Sequence, residues 1–385
     1  MRILHSSDWH LGAGERNRSL KEDQLFFLKE IYRVIEEENI DLLLIAGDVF
    51  DRAVSSAEAI SLYDDAMTHI CNDLGKKVLI IAGNHDSAER LSSCSSLLKK
   101  AGLYVTGAIT AEPAVVSIED VDFYMLPWFT EDKVKSLYPD RIEEIHGMND
   151  AYRIVCDKCR ETFEKDRKHI AISHAFITGA ELSESDRAAG LAVVGLATQV
   201  SAQVFEGFDY VALGHIHKPQ NVKENIRYSG TPMPYSFGVE EQQVKSVTII
   251  DTADMSQKIV PLKLLHKRTT LKDCWEKISE ADYPEEVKKG YLKVVVTDEY
   301  VGYEKASIIN SLYENVIDMT GKDLDDGNAA ISLSMEEFVK LENDPMQIFK
   351  AFYRESYGEE TPEHYIKLFE QCMDDLANGR FMNED

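Results

Sequence analysis

The chain has 385 residues, 44% of them hydrophobic and 29% charged, and a formal net charge of −26. It is too long for one small domain, can readily bury a core, and contains no run of about 18 apolar residues such as a membrane span needs. The acidity argues against a protein that grips nucleic acid through a broad basic surface, because phosphate neutralisation by Lys and Arg dominates such binding.

Residues 1–265 carry 41 acidic against 28 basic side chains, and the remainder 27 against 14. The excess is therefore not a tail effect. Any polyanionic substrate must be held by metal ions, local basic patches or a partner subunit.

The opening MRILHSSDWH passes from a short apolar strand (Arg2–Ser6) straight into polar residues, without the hydrophobic region and cleavage site of a secretory signal. Further strands are expected at Leu42–Ala46, Val78–Ala82, Phe123–Leu126, Ile170–Ser173, Tyr210–Leu213 and Val244–Ile250, with helices at Gln24–Glu38 and Ala57–Leu74. The early strands are unbroken apolar runs, as suits sheets covered on both faces. Leu62, Ala66, Ile70 and Leu74 form a stripe along the second helix, suited either to the core or to contact with a second copy. Cys156 and Cys159 lie in a charged, helix-like run with no second CxxC, so they read as reduced thiols of a cytosolic protein and not as a zinc site.

After His266 the character changes. A charged connection (Ala281–Gly290), a strand (Tyr291–Thr297), a helix (Tyr303–Thr320) and a strand (Ala330–Leu333) suggest a small α+β unit over 266–342. In 343–385, Asp344-Pro345 and Thr361-Pro362 each pair a capping residue with Pro at the first helical position. Phe349, Phe352 and Tyr353 follow the first pair; Tyr365, Leu368, Phe369, Cys372 and Leu376 follow the second, and Gly358 and Gly379 sit where C-caps belong. Two such short helices need a further surface, on the main domain or on a partner protein, to bury these stripes.

Five polar clusters each follow a predicted strand: Asp8-Trp9-His10, Gly47-Asp48, Gly83-Asn84-His85-Asp86, Ser173-His174 and Gly214-His215-Ile216-His217. Each alone is weak. A lone His after a strand is usually structural, and Gly-Asp is a common turn. In GHxH, two histidines two apart on an extended segment point the same way. The ordered set supplies hard or borderline metal ligands at every strand end, which is where open α/β sheets bind ligands. Trp9 and His5 read as core and strand residues.

In this order the motifs D-x-H, G-D, G-N-H-D, H and G-H-x-H resemble the signature of the calcineurin-like metallophosphoesterases. Within them, the stretches ILHSSDWHLG, LLLIAGDVFDR, VLIIAGNHDS, ISHAFITGAELSESDR, YVALGHIHKPQ and IRYSGTPMPYSF are similar to the bacterial SbcD family of nuclease subunits. The resemblance implies an α/β fold, a β-sandwich flanked by helices, with a small capping domain and C-terminal helices. It divides the chain into a nuclease domain (1–265), a cap (266–342) and a segment (343–385) that docks on a coiled-coil ATPase. It implies a first metal held by Asp8, His10, Asp48 and His217 and a second held by Asp48, Asn84, His174 and His215, with Asp48 shared. Mn²⁺ is the ion expected, with Fe²⁺ or Zn²⁺ compatible with the same ligands. Two cations would polarise a phosphodiester, lower the pKa of a water and stabilise the charge that develops during displacement. His85 would protonate the leaving oxygen or stabilise the transition state, and Asp86 would orient it. Arg16, Arg18, Arg52 and Lys218 are candidates to touch DNA phosphates. The resemblance also implies a homodimer, with no membrane partner.

Two other readings remain. GDVFDR is close to the GDxxDR of protein phosphatases, where the Arg grips a phosphomonoester; here Ala53 replaces Gly, Asp86 replaces Glu, and SDWH replaces GDxHG. A small-molecule phosphodiesterase would share the ligands but has no use for the C-terminal segment. The other reading, a tethering subunit that has lost its metals, finds little room beside a complete set of ligand positions.

Overall fold

The computed structural model describes residues 1–15, 18–183, 186, 198–322, 346, 349–350, 353 and 361–377. They fall into two compact units, 1–321 and 322–385.

The first unit is built on two six-stranded sheets. One runs in the order Ser256–Pro261, Ser246–Asp251, Arg2–Ser6, Leu42–Ala46, Lys77–Ile81, Leu103–Thr106. The other runs Gln220–Lys223, Ile226–Tyr228, Tyr210–Gly214, Lys168–His174, Val121–Leu126, Val115–Ile118. The central strands of both are parallel. The apolar strands read this way because alternate residues serve different cores. Leu42, Leu44, Leu79, Ile81, Phe123, Ile170, Ile172 and Ala212 meet between the two sheets. Leu43, Ile45, Val78 and Ile80 face the outer side of the first sheet, in one core with Phe27 and Ile31 of the helix Lys21–Glu37. Tyr124, Ala171 and Leu213 face the outer side of the second sheet, with Tyr152 and Val155 of the helix Met148–Arg160. This period of two, with every residue buried, is what a strand covered on both faces requires.

The strands absent from the expected set are mostly sheet edges. Val115–Ile118, Ser256–Pro261 and Gln220–Lys223 are each partly exposed, so hydrophobicity marks them poorly. The stripe Leu62, Ala66 and Ile70 lies in the core, and the helix Ala57–Thr68 continues into a π-helical turn, His69–Asp73. Cys156 and Cys159 are buried, and burial pushes the Cys159 thiol up to about 12.

A three-stranded parallel sheet, Arg268–Asp273, Tyr291–Val296 and Asn315–Thr320, has its own small core around Leu271, Ile278, Leu292, Val294 and Ile309. The helix expected over Tyr303–Thr320 stops at Leu312, and Asn315–Thr320 is a strand. Its neighbours Val316 and Ile317 face different cores, the alternation of a strand, and two adjacent β-branched residues favour that state. The connection 281–290 also holds a short helix, Glu285–Lys289.

In the second unit, the described residues include the helix Glu363–Ala377, where Phe369 stacks on Phe349 at 4.4 Å and Tyr365 lies 5.5 Å from Tyr353. Leu368 remains exposed. The strand expected at Ala330–Leu333, the Asp344-Pro345 start, Phe352, Gly358 and Gly379 lie outside the described residues, as does the side chain of Leu376.

Candidate metal centre

All five clusters lie at or just past the C-terminal ends of parallel strands, so the sandwich brings them to one edge. The loops are tied to each other before any side chain is considered. Asp8 N–H donates to the Gly47 carbonyl at 3.0 Å, His10 N–H to the Asp48 carbonyl at 3.0 Å, and Leu11 N–H to the Val49 carbonyl at 2.9 Å. The loops pass so close that a side chain at Gly47 would strike the His174 ring, and one at Gly83 would strike Asp48. Asp8, His10, Asp48 and His215 all have positive φ (54°, 44°, 49° and 96°), four of the nine non-glycine cases among the described residues. Such backbone persists where the surroundings over-determine it, and it clusters at functional sites.

The ligand atoms converge in two groups. His174 Nδ1–H donates to the Ala46 carbonyl at 2.8 Å, which points Nε2 into the site. That Nε2 lies 3.0 Å from Asn84 Oδ1, and His215 Nδ1 lies 2.9 Å from the same oxygen. In the other group, His10 Nε2 and His217 Nε2 are 3.2 Å apart, while His217 Nδ1 faces Glu240 Oε1 at 3.6 Å. Asp8, His10 and His217 have ligand atoms within 4.8 Å of one another, as do Asp8, Asp48 and His174. Asp48 stands between the groups, with Oδ2 3.3 Å from His174 Nε2 and 3.8 Å from His10 Nε2. Its Oδ1 accepts His85 N–H at 2.9 Å, so Oδ2 is the oxygen left to be shared.

This donor set fits cations. Imidazole nitrogens and an amide oxygen converge at about 3 Å, joined by hydrogen bonds while a ring nitrogen carries a proton and free to turn lone pairs on a cation once it does not. The protons respond accordingly. Burial lowers His10 and His215, both to about 3, the second helped by the charge of His174. Burial also works against His174 and His217, but Asp48 raises the first and Glu240 and Asp186 raise the second, each to about 9. Asp48 is opposed by burial yet held well below the carboxylate range by His174 and His10. Burial pushes Asp8 up to about 6, with Asp48 adding to it and His174 opposing. Without metal, two of the imidazoles thus carry the charge that cations would otherwise supply.

His85 and Asp86 sit beside the two groups in a different arrangement from the one expected. The His85 ring is oriented by the Asp51 carbonyl, 2.8 Å from Nδ1. The Asp86 carboxylate instead accepts three backbone N–H groups: Gly83 (2.9 Å), Phe50 (2.9 Å) and Val49 (3.1 Å). It pins the third loop to the second, because three convergent donors satisfy a carboxylate better than one imidazole would.

The site opens into a cavity of about 300 Å³ lined by His10, Asp48, Asn84, His85, His215 and His217, and also by Asp51, Asp186, Tyr235 and Arg268. The last four were not singled out from sequence. Asp51 Oδ1 lies 3.8 Å from His10 Nδ1, and Tyr235 packs its ring 5.4 Å from that of His10. Behind His217, Glu240 pairs with Lys245 at 2.7 Å, both side chains 0% exposed. Asp51 stands in the quoted GDVFDR and Tyr235 in MPYSF, but neither carries a strand-end signal of its own.

Of the basic candidates, Arg18 is held by Asn315 (2.8 Å), Lys218 by Glu181, and Arg52 is 84% exposed; Arg16 lies outside the described residues. Trp9 and His5 are fully buried, bonded to Ser6 and Tyr210.

Residues 1–219 match the family model of the calcineurin-like phosphoesterases. The chain belongs to that family. Among calcineurin-like phosphoesterases it is similar to the D subunit of nuclease SbcCD from Staphylococcus saprophyticus, 28% identical over 376 residues, with 97% of this chain and 98% of the relative covered. The same-named protein of Staphylococcus epidermidis is 28% identical over 358 residues, covering 92% and 93%. A solved structure, TT1561 of Thermus thermophilus, is 10% identical, covers 68% of this chain and 99% of its own, and superposes with a TM-score of 0.39. Among the described residues, no helix is long and apolar enough to cross a membrane.

Proposed function

We propose that this calcineurin-like phosphoesterase is the nuclease subunit of an SbcCD-type complex, a Mn²⁺-dependent DNA exonuclease and hairpin endonuclease. Similarity to the two staphylococcal SbcCD proteins along nearly the whole chain supports the reading. The observation that carries the chemistry is the placement of Asp48 Oδ2 between the His174 and His10 nitrogens.

One ion would be held by Asp8, His10, Asp48 and His217, the other by Asp48, Asn84, His174 and His215. Mn²⁺ suits this mixture of imidazole and oxygen donors, and Fe²⁺ or Zn²⁺ would also fit. When bound, the pair supplies Lewis acidity and charge stabilisation for in-line displacement at phosphorus. The chain's own contribution is positional. Ala46 and Glu240 fix the ring orientations of His174 and His217. Asp86 locks the loop that presents Asn84 and His85. His85, anchored through Nδ1, keeps its other nitrogen to donate a proton to the leaving oxygen.

The exposed position of Arg52, off the wall of the cavity, disfavours a phosphatase-type grip on a phosphomonoester. The acidic surface is reconciled with DNA if an SbcC-type coiled-coil ATPase docks on 343–385 and provides much of the DNA contact. Residues 266–342 would cap the active domain, and the assembly would be a cytoplasmic homodimer.

The test compares Mn²⁺-dependent cleavage of a small phosphate bis-ester with cleavage of duplex DNA. A protein that hydrolyses only the bis-ester is not a nuclease. Deleting 343–385 is expected to abolish ATPase association while sparing cleavage of short DNA; association that survives the deletion refutes the docking assignment.

A further inference from the structure

One side chain on the cavity wall has no part in the scheme above. Arg268 is the first residue of the strand Arg268–Asp273 and is 3% exposed. It is the one Lys or Arg among the described lining residues, which also include Glu15, Asp48, Asp51 and Asp186.

Its guanidinium is held at one edge and on its faces. Nε–H donates to the Pro234 carbonyl at 3.0 Å, and the group lies 5.0 Å from the Phe237 ring centre and 5.3 Å from that of Tyr291. The other edge is poorly used. Nη2 is 2.6 Å from Glu15 Oε2, yet neither Nη1, Nη2 nor that oxygen makes an aligned hydrogen bond, and all three are closed off from solvent. Arg has five N–H donors, and a buried guanidinium with four of them unaligned is normally filled by a bidentate acceptor. Glu15 is a poor fixture for that purpose. Its side chain is 25% exposed, and it belongs to a two-residue ladder, Gly14 with Ser19 and Glu15 with Arg18.

We propose that Arg268 binds a phosphate of the DNA substrate, which takes the place of the Glu15 carboxylate on the guanidinium edge. This rests on the nuclease reading and adds to it a substrate-binding residue supplied by the small three-stranded sheet. The planar fork matches two phosphate oxygens, and the stacked rings and Pro234 already fix its plane, so little side-chain freedom is lost on binding. Glu15 turns to solvent as the phosphate arrives. Until then it keeps the buried cation paired and holds other anions off the cavity.

The experiment uses the full-length protein and measures binding of a short duplex by fluorescence anisotropy, with Ca²⁺ in place of Mn²⁺ to prevent cleavage. Glu15→Gln is expected to tighten binding by about 3–10-fold, because the internal competitor loses its charge. Arg268→Gln is expected to weaken it by about 10-fold and to reduce the slope of log K against log salt by about 0.7–0.9, the share of one phosphate contact. With Mn²⁺, that loss falls on KM and not on kcat. Arg268→Lys keeps the charge without the fork and should lie between, and with Glu15→Gln it carries the test if Arg268→Gln does not fold. Unchanged affinity and salt slope in the Arg268 variants overturn the proposal and leave the nuclease reading intact. Weaker binding by Glu15→Gln, in step with a lower melting temperature, also overturns it, since the pair would then be structural. Failure of the wild type to cleave duplex DNA while it cleaves a bis-ester would instead refute the nuclease reading.

Discussion

Metal binding should expel about two protons at neutral pH. In the metal-free protein His174 and His217 are both raised to about 9, while His10 and His215 are lowered to about 3. At pH 7.5 the first two are almost fully protonated and the second two neutral. Asp8, at about 6, is almost fully ionised there. Occupying the site requires the nitrogens of His174 and His217 as lone pairs, so both protons leave. The affinity for Mn²⁺ then rises by roughly two powers of ten per pH unit between pH 6.5 and 9, and flattens above. Near pH 6 Asp8 holds about half a proton, and release approaches 2.5. The same shifts set metal-free stability. A His whose folded pKa lies above its unfolded value of 6.5 contributes stability that is complete below 6.5 and lost as the pH climbs through 9. The metal-free protein should therefore melt at lower temperature at pH 9 than at pH 7, while the loaded protein changes little. Titration calorimetry of Mn²⁺ into protein in buffers of different ionisation enthalpy counts the protons directly. Release of fewer than about 0.5 protons at pH 7.5 would show that the carboxylates do not charge these imidazoles, and the electrostatic account of the site would fail.

His85→Gln should keep Mn²⁺ affinity within about 3-fold while lowering kcat by about 10²–10⁴, as for loss of a general acid; a large drop in affinity would make His85 a ligand instead. Asp48→Asn should do the reverse at the first step. The amide can still accept from His85 N–H, but it removes the shared anionic oxygen, so Mn²⁺ affinity should fall by roughly 100-fold or more, exceeding the usual cost of an outer partner. Asp86→Ala strips three backbone N–H groups of their acceptor and should cost about 3 kcal/mol in denaturant unfolding; a cost under about 1 kcal/mol would mean that the loops do not depend on it. Lys245→Met leaves buried Glu240 with His217 to offset its charge and should cost roughly 3–5 kcal/mol, with the double change Lys245→Met/Glu240→Gln costing less than the single one.

Local pattern reaches only part of this structure. The central strands were legible because each is an apolar run stopped by Gly or a polar residue, and the ligands because each follows such a strand. Position alone is weak for any one cluster, and the proposed ligand roles of Asn84, His174 and His215 rest on the family resemblance. Adjacency of Asp86 to His85 suggests a side-chain pair, whereas its carboxylate accepts from the backbone of residues 37 and 36 positions earlier, Val49 and Phe50. Glu240 and Lys245 were illegible for a related reason. Their meaning comes from the fold, which sets a buried ion pair behind His217. The strand Asn315–Thr320 is masked by the helical run before it, because the β-branched pair Val316-Ile317 is a short local signal and pairing with Tyr291–Val296 is what fixes it.

The formal charge of −26 and a phosphodiester substrate are reconciled at the scale of single residues. The cavity wall is acidic, and so are the groups behind it. Asp8, Asp48 and Asp86 lie close enough that Asp48 raises both of the others. A polyanion could not enter such a site unaided, and a dication could hardly avoid it. The same carboxylates that would repel a phosphate create the affinity for the ions that would admit it. Four of the proposed ligands, Asp8, His10, Asp48 and His215, sit at positive φ. Each strained position costs of order 1–3 kcal/mol and is tolerated because cross-loop hydrogen bonds hold it, which presets the ligand geometry before any ion arrives. Entry of DNA to the site would then be conditional on metal through electrostatics, and a broad basic surface would defeat that condition by attracting DNA to sites that cannot cut it.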